Sequence, residues 1–146
     1  VTYIQKTEVE MLQLFWEKAK SYDEFVTFYG RGFDAPWLMI RSAIHKIAPS
    51  KDLMSGRYLY QQKGPNRHVD LADQFTFYGS THLPHNSLHM YCNAFGIDTP
   101  KSSDVSGAGV TDAFYAGKFL DIARYNAMDI IATRKLFAYW NDFLRF

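Results

Sequence analysis

Val26-Thr27-Phe28-Tyr29-Gly30-Arg31-Gly32-Phe33-Asp34-Ala35-Pro36 places a β-prone run, a glycine pair around an arginine, and a helix-starting proline in immediate succession. β-branched and aromatic residues favour extended chain, glycine permits a sharp reversal, and proline suits the first turn of a helix. The order predicts a strand over residues 25–29 and a helix from Pro36 to about Ile47, with Trp37, Ile40, Ala43 and Ile44 facing inward. Asp34 then falls at the C-terminal end of the strand, where open α/β sheets place ligands. A carboxylate there also stabilises a helix N-terminus by about 0.3–1 kcal/mol, so a structural role and a functional one both stand.

Upstream, residues 1–5 are β-prone and residues 7–20 read as an amphipathic helix. Thr7 and Glu10 have capping-box spacing, and Val9, Leu12, Phe15, Trp16 and Ala19 continue one apolar face. Glu8 and Glu10 are therefore read as helix-start residues. Downstream, residues 48–66 are irregular, with Lys51, Arg57, Lys63 and Arg67 around Tyr58 and Tyr60. Such a stretch is either a solvated loop or a surface that holds a single strand through phosphate contacts and base stacking. A short strand over residues 68–71 carries Asp70, and a helix from about Asn86 ends at Gly96, a C-terminal cap. A serine- and glycine-rich loop over 101–109, a short helix over 111–116 and a long one over 119–144 complete a single domain spanning residues 1–146. Strands followed by helices in this order point to a mixed α/β sheet flanked by helices.

Composition narrows the class. The 146 residues are 47% hydrophobic and 17% aromatic, with a net charge of +1, which excludes a disordered chain. No apolar run approaches the roughly 20 residues of a membrane span. The near-neutral balance gives no global pull toward nucleic acid, so any such binding rests on a local basic patch. The one cysteine, Cys92, excludes an internal disulfide and suits a reducing cytoplasm. His85, His89 and Cys92 fall at i, i+4 and i+7, but on one straight helix they spread along about 10 Å of axis, too far for one tetrahedral zinc.

Near the C-terminus, Tyr125 and Asp129 stand four apart in a strong helical pattern, so phenol and carboxylate share one face. Spacing alone equally describes a half-buried tyrosine beside a solvated carboxylate. In order along the chain, VTFYGRGFDAPWLMIRSA, HVDLADQFTFYG, SLHMYCNAFGIDTPK, DVSGAGVTDAFYAGKF, ARYNAMDIIAT and FAYWNDFLRF resemble the DEDD-type 3′-to-5′ exonucleases. The resemblance is closest to the predicted exonuclease family related to the proofreading domain of family B DNA polymerases.

That resemblance implies an RNase H-like fold and hydrolysis of phosphodiester bonds at a 3′ end by two divalent cations, Mg²⁺ or Mn²⁺. The implied substrate is nucleic acid with a free 3′ end, single-stranded DNA in the first place. Asp34 matches the metal-binding position of the family's second motif, and Tyr125 and Asp129 match the tyrosine-type third motif. Asp34 and Asp129 are then metal ligands, and Tyr125 orients the attacking water. The first motif, a DxE pair on the fold's opening strand, does not stand ahead of Asp34, so the N-terminal strands that carry it are expected to be missing from this chain. Two aspartates alone are expected to hold the ions weakly. Tyr29 occupies a position where the family has asparagine. The alternative is a nuclease-like module without catalysis that binds single-stranded nucleic acid or a protein partner.

Overall fold

Thr7 opens the first helix, α1 (Glu8–Ala19), with the expected capping box: its hydroxyl accepts from the Glu10 N–H at 3.3 Å, and the Glu10 carboxylate accepts from the Thr7 N–H at 3.2 Å. The computed structural model describes residues 7–81, 86–98 and 109–145. It divides into two units, Val1–Thr81 and His82–Phe146. The β-prone residues 1–5, most of the 101–109 loop, and His85 lie outside the described residues.

In the first unit α1 buries Leu12, Trp16 and Ala19 and packs on α2 (Asp34–Ile44). The buried Trp16 indole donates to the Ser42 hydroxyl at 2.8 Å, and that hydroxyl donates to the Leu38 carbonyl at 2.7 Å. Indole and hydroxyl are thereby satisfied where no water reaches them. Trp16, Ala19, Ala35 and Leu53 form the core, with Phe15, Phe25, Leu38, Met39 and Ile47 against it.

The inward face of α2 differs from the one expected. Ala35 and Ser42 are buried, whereas Trp37, Ile40, Ala43 and Ile44 are exposed. The helix is apolar on both sides, so periodicity does not choose between them. Small side chains at 35 and 42 let α1 approach, and the Trp16–Ser42 bond selects that side. At its other end α1 is tied to α2 by Glu8, whose carboxylate accepts from Arg41 Nε at 2.6 Å and pairs with His45 Nε2 at 2.8 Å.

Strand β1 (Glu24–Thr27) runs parallel to β2 (Arg67–Asp70), with Phe25 opposite His68 and Thr27 opposite Asp70. Parallel neighbours need a crossover, supplied by α2 and residues 45–66. Within the latter, Leu59–Gln61 forms one 3-10 turn that composition did not reveal. β2 runs directly into α3 (Leu71–Phe75). The first unit is thus a small α/β layer with its strand ends beside the 28–33 turn.

The second unit is helical in its described residues: α4 (Leu88–Ala94), α5 (Val110–Tyr115) and α6 (Phe119–Phe143). Ser87 caps α4 by accepting from the Met90 N–H at 3.2 Å, and Gly96 follows it with φ of 66°, the left-handed exit that glycine tolerates. Helices α4 and α5 pack on α6. Buried residues here are Tyr91, Cys92, Ala113, Ala132, Leu136 and Trp140, and Phe95 stacks on Tyr139 at 4.3 Å. Among the described residues no helix is long and apolar enough to cross a membrane.

Candidate functional site

Asp34 is delivered by the turn that follows β1, and that turn is shaped by a carboxylate from the neighbouring strand. Asp70, 3% exposed, accepts from the Tyr29 N–H at 2.7 Å with one oxygen and from the Arg31 N–H at 2.8 Å with the other. The first oxygen also accepts from the Ala72 N–H at 3.0 Å, capping α3. Backbone N–H groups converging from a left-handed turn make a small anion cradle, and Asp70 fills it. Three of its roughly four acceptor sites are thereby taken by the backbone.

The turn also corrects the role assigned to its glycines. The left-handed residue is Tyr29, with φ of 62°, not Gly30 or Gly32. What Gly30 supplies is space: a Cβ there would lie 2.5 Å from the Thr27 side chain. A Cβ on Gly32 would meet the Tyr29 ring at 3.0 Å. A left-handed position favours glycine or asparagine, so an asparagine at 29 suits the backbone itself, and tyrosine holds the same shape at some steric cost.

Two further side chains brace the turn. Arg31 donates to the Leu53 and Met54 carbonyls at 3.2 and 3.0 Å. His68, 2% exposed, sits 2.8 Å from the Leu53 carbonyl through Nδ1 and 2.8 Å from the Thr27 hydroxyl through Nε2. A carbonyl only accepts, so Nδ1 carries the proton and Nε2 accepts from Thr27. Burial pushes the His68 pKa down, which keeps that neutral tautomer.

Asp34 lies in the first turn of α2 with its side chain accessible. Partial desolvation raises its carboxyl above the ordinary aspartate range and the nearby Asp70 charge adds to this, while its own backbone N–H pulls the other way. Asp73 is raised for the same first reason, with Asp70 again adding. Arg57, 3.5 Å from Asp73, offsets part of that charge.

In the second unit Tyr125 and Asp129 do share one face of α6, near enough for each to shift the other's proton affinity. Partial desolvation raises Asp129, and the neighbouring Tyr125 hydroxyl works against it. Desolvation, then the Asp129 charge, raises Tyr125, so the phenol keeps its proton. Cys92 on α4 is fully buried, with its thiol pushed up by burial and secondarily by the charge of Asp129.

Asp34 belongs to the first unit, Tyr125 and Asp129 to the second. Residues 1–143 match the family model described as a predicted 3′-5′ exonuclease related to the exonuclease domain of PolB. The chain belongs to that exonuclease family. No curated protein matches it significantly.

Family membership ties the chain to nucleic acid and to an exonuclease-like domain. Glu8 and Glu10 are not stand-ins for an acidic motif in this exonuclease-family chain, because one binds Arg41 and His45 and the other closes the helix cap. The residues that sequence reasoning missed are the braces, Asp70 above all. An aspartate directly before a helix signals an N-cap, which gives its bond to Ala72. Nothing local signals its hold on a turn 41 residues away. Among the described residues no group of three or more His, Cys, Asp or Glu side chains is arranged to hold a metal ion.

Proposed function

We propose that the chain is a metal-dependent 3′-to-5′ exonuclease domain with an RNase H-like fold, in which Asp34 and Asp129 each contribute one metal ligand and Tyr125 positions water. The observation that carries this is the Tyr125–Asp129 pair on one face of α6 in a chain matched over residues 1–143 by an exonuclease family. Carboxylate oxygens are the hard donors that Mg²⁺ and Mn²⁺ prefer. Both aspartates have raised proton affinities, a cost of desolvation that a bound cation offsets. The donor chemistry therefore fits, although two aspartates fall short of the ligands that two ions need.

When bound, a pair of divalent cations supplies the charge that activates a water and stabilises the leaving oxygen. The protein's own part is positional. Tyr125 stays protonated beside Asp129, and its phenol oxygen is able to accept from a water and fix that water's orientation. The Asp70 clamp holds the turn ahead of Asp34, so this carboxylate is presented by a rigid strand end rather than by a free loop. The scissile bond is the last phosphodiester of a 3′ end, and the products are nucleoside monophosphates.

The test is release of mononucleotides from a single strand labelled at its 3′ end, in Mn²⁺, by this chain and its Asp129→Asn variant. Calorimetric Mn²⁺ titration of both proteins accompanies it. The expected result is weak Mn²⁺ binding and slight nuclease activity in this chain, both lost in the variant, with its unfolding midpoint not lowered. Mn²⁺ binding and activity that survive the substitution refute the assignment of Asp129. Strand binding without any mononucleotide release favours the second reading, a nuclease-like module that holds nucleic acid, which tyrosine in place of asparagine at position 29 supports.

A further inference from the structure

The crossover between α2 and β2 carries two tyrosines that form an aromatic ladder with a third beyond α3. Tyr58 and Tyr60 flank the start of the 3-10 turn and stack nearly parallel, their ring centroids 5.5 Å apart and their planes at 12°. Tyr58 in turn meets Tyr78 edge to face at 4.6 Å and 61°. Tyr60 ends the series and is 80% exposed, so one of its faces rests on Tyr58 and the other meets water.

The inner end of the ladder is anchored by hydrogen bonds. The Tyr78 hydroxyl accepts from the Leu59 N–H at 3.2 Å and from the Gln74 side-chain amide at 2.8 Å. Gln62 staples the turn to β2 by accepting from the His68 N–H at 2.7 Å and donating to the His68 carbonyl at 3.1 Å. Phe77 and Tyr78 are consecutive non-glycine residues in the left-handed region, with φ of 48° and 56°. Adjacent side chains of this bulk rarely adopt that backbone, and such outliers concentrate at binding sites.

The surrounding charges narrow the occupant. Lys51 is turned inward to the Pro65 carbonyl and Arg67 pairs with Glu24 across the two strands. Arg57 and Lys63 remain exposed on either side of the tyrosines in the chain, Arg57 lying 3.5 Å from Asp73 with 60% of its side chain in solvent. A flat open π-face with a cation before it and another after it matches a single strand, whose bases stack while its phosphates meet the cations. A duplex has no free base face to offer.

We propose that the outer face of Tyr60 is a stacking subsite for one unpaired nucleobase of a single strand, with Arg57 and Lys63 contacting the adjoining phosphates. This rests on the reading that the chain handles nucleic acid and extends it to a place away from the metal ligands. The test is fluorescence anisotropy of a 5′-labelled, mixed-sequence single-stranded 12-mer at low salt. It compares the full 146-residue chain with Tyr60→Ala and Tyr60→Phe, and repeats each titration with the same strand made abasic.

Tyr60→Ala is expected to weaken binding roughly 5- to 150-fold, the range for loss of one base–aromatic stack, with an unchanged circular dichroism spectrum. Tyr60→Phe, which keeps the π-face, should bind as the unaltered chain does. The abasic strand should bind the unaltered chain more weakly and Tyr60→Ala no more weakly still. Equal affinity of the unaltered chain and Tyr60→Ala overturns the subsite and assigns the ladder to a protein ligand or to none, leaving the Asp129 reading untouched. If the unaltered chain binds no strand at all, both proposals fall.

Discussion

Replacing Asp70 by alanine removes the carboxylate that gathers the backbone of the turn ahead of Asp34, and the cost follows from its bonds. Three backbone N–H groups donate to this carboxylate, at 2.7, 2.8 and 3.0 Å. A hydrogen bond to a charged acceptor is worth about 1.5–3 kcal/mol, but the three share one side chain and Tyr29 is exposed, so water regains part of the loss. A total of about 3–6 kcal/mol is expected, against a stability of about 5–15 kcal/mol for an ordinary domain. Asp70→Asn separates the bonds further. An amide oxygen in place of the shared oxygen keeps the bonds to Tyr29 and Ala72, whereas the NH₂ then faces the Arg31 N–H, donor against donor. Its cost should be about 1.5–3 kcal/mol. Urea unfolding followed by tryptophan fluorescence reads both. With a slope near 2 kcal/mol per molar, the alanine midpoint should drop by roughly 1.5–3 M and the asparagine midpoint by about half as much. An alanine midpoint within about 0.5 M of the unaltered chain, on the same slope, would show that the cradle is held by something other than this carboxylate.

Gly30→Ala should lower stability by about 1–3 kcal/mol through overpacking, because the added methyl lands 2.5 Å from a Thr27 that His68 already tethers; an unchanged thermal midpoint would contradict the close approach. His68 is held neutral, its pKa below the ordinary value. The unfolded chain therefore binds the extra proton first, and the stability His68 contributes is whole above about pH 6.5 and declines as pH falls below it. The unfolding midpoint should accordingly drop between pH 7 and 5, with a shallower slope in His68→Gln. Glu8 runs the other way in range: hydrogen bonds from Arg41 and then His45 hold its pKa at about 2. What it adds is present above its ordinary 4.5 and is lost only as pH falls through about 2, so Glu8→Gln should begin acid unfolding at a higher pH. An identical acid profile for the two proteins would remove the α1–α2 clamp from the account.

Much of the local structure was legible because it rests on nearest neighbours. The Thr7–Glu10 box, the Gly96 exit and the long helix carrying Tyr125 and Asp129 all follow from residues within one turn of each other. The inward face of α2 was not legible, since it depends on which side Trp16 finds a hydroxyl. The shape of the Asp34 turn was misread for a related reason. Glycines advertise conformational freedom, but here the unusual φ belongs to Tyr29, and the force that imposes it comes from a carboxylate far along the chain. The tyrosines of the crossover were visible as a composition, and only their stacking distances set them apart from a solvated loop.

The parallel pairing of β1 with β2 orders events during synthesis. Tyr29 and its carboxylate partner are 41 residues apart, and no hairpin can bring parallel neighbours together early. At about 5–20 residues per second, the ribosome adds Asp70 a few seconds after the turn has been made. In that interval the Tyr29 and Arg31 N–H groups lack their acceptor and the backbone around Asp34 is free to wander. The site's geometry is therefore acquired late, when β2 docks. A pause in translation between Gly32 and Asp70 lengthens the time that β1 waits with its edge open to other nascent chains.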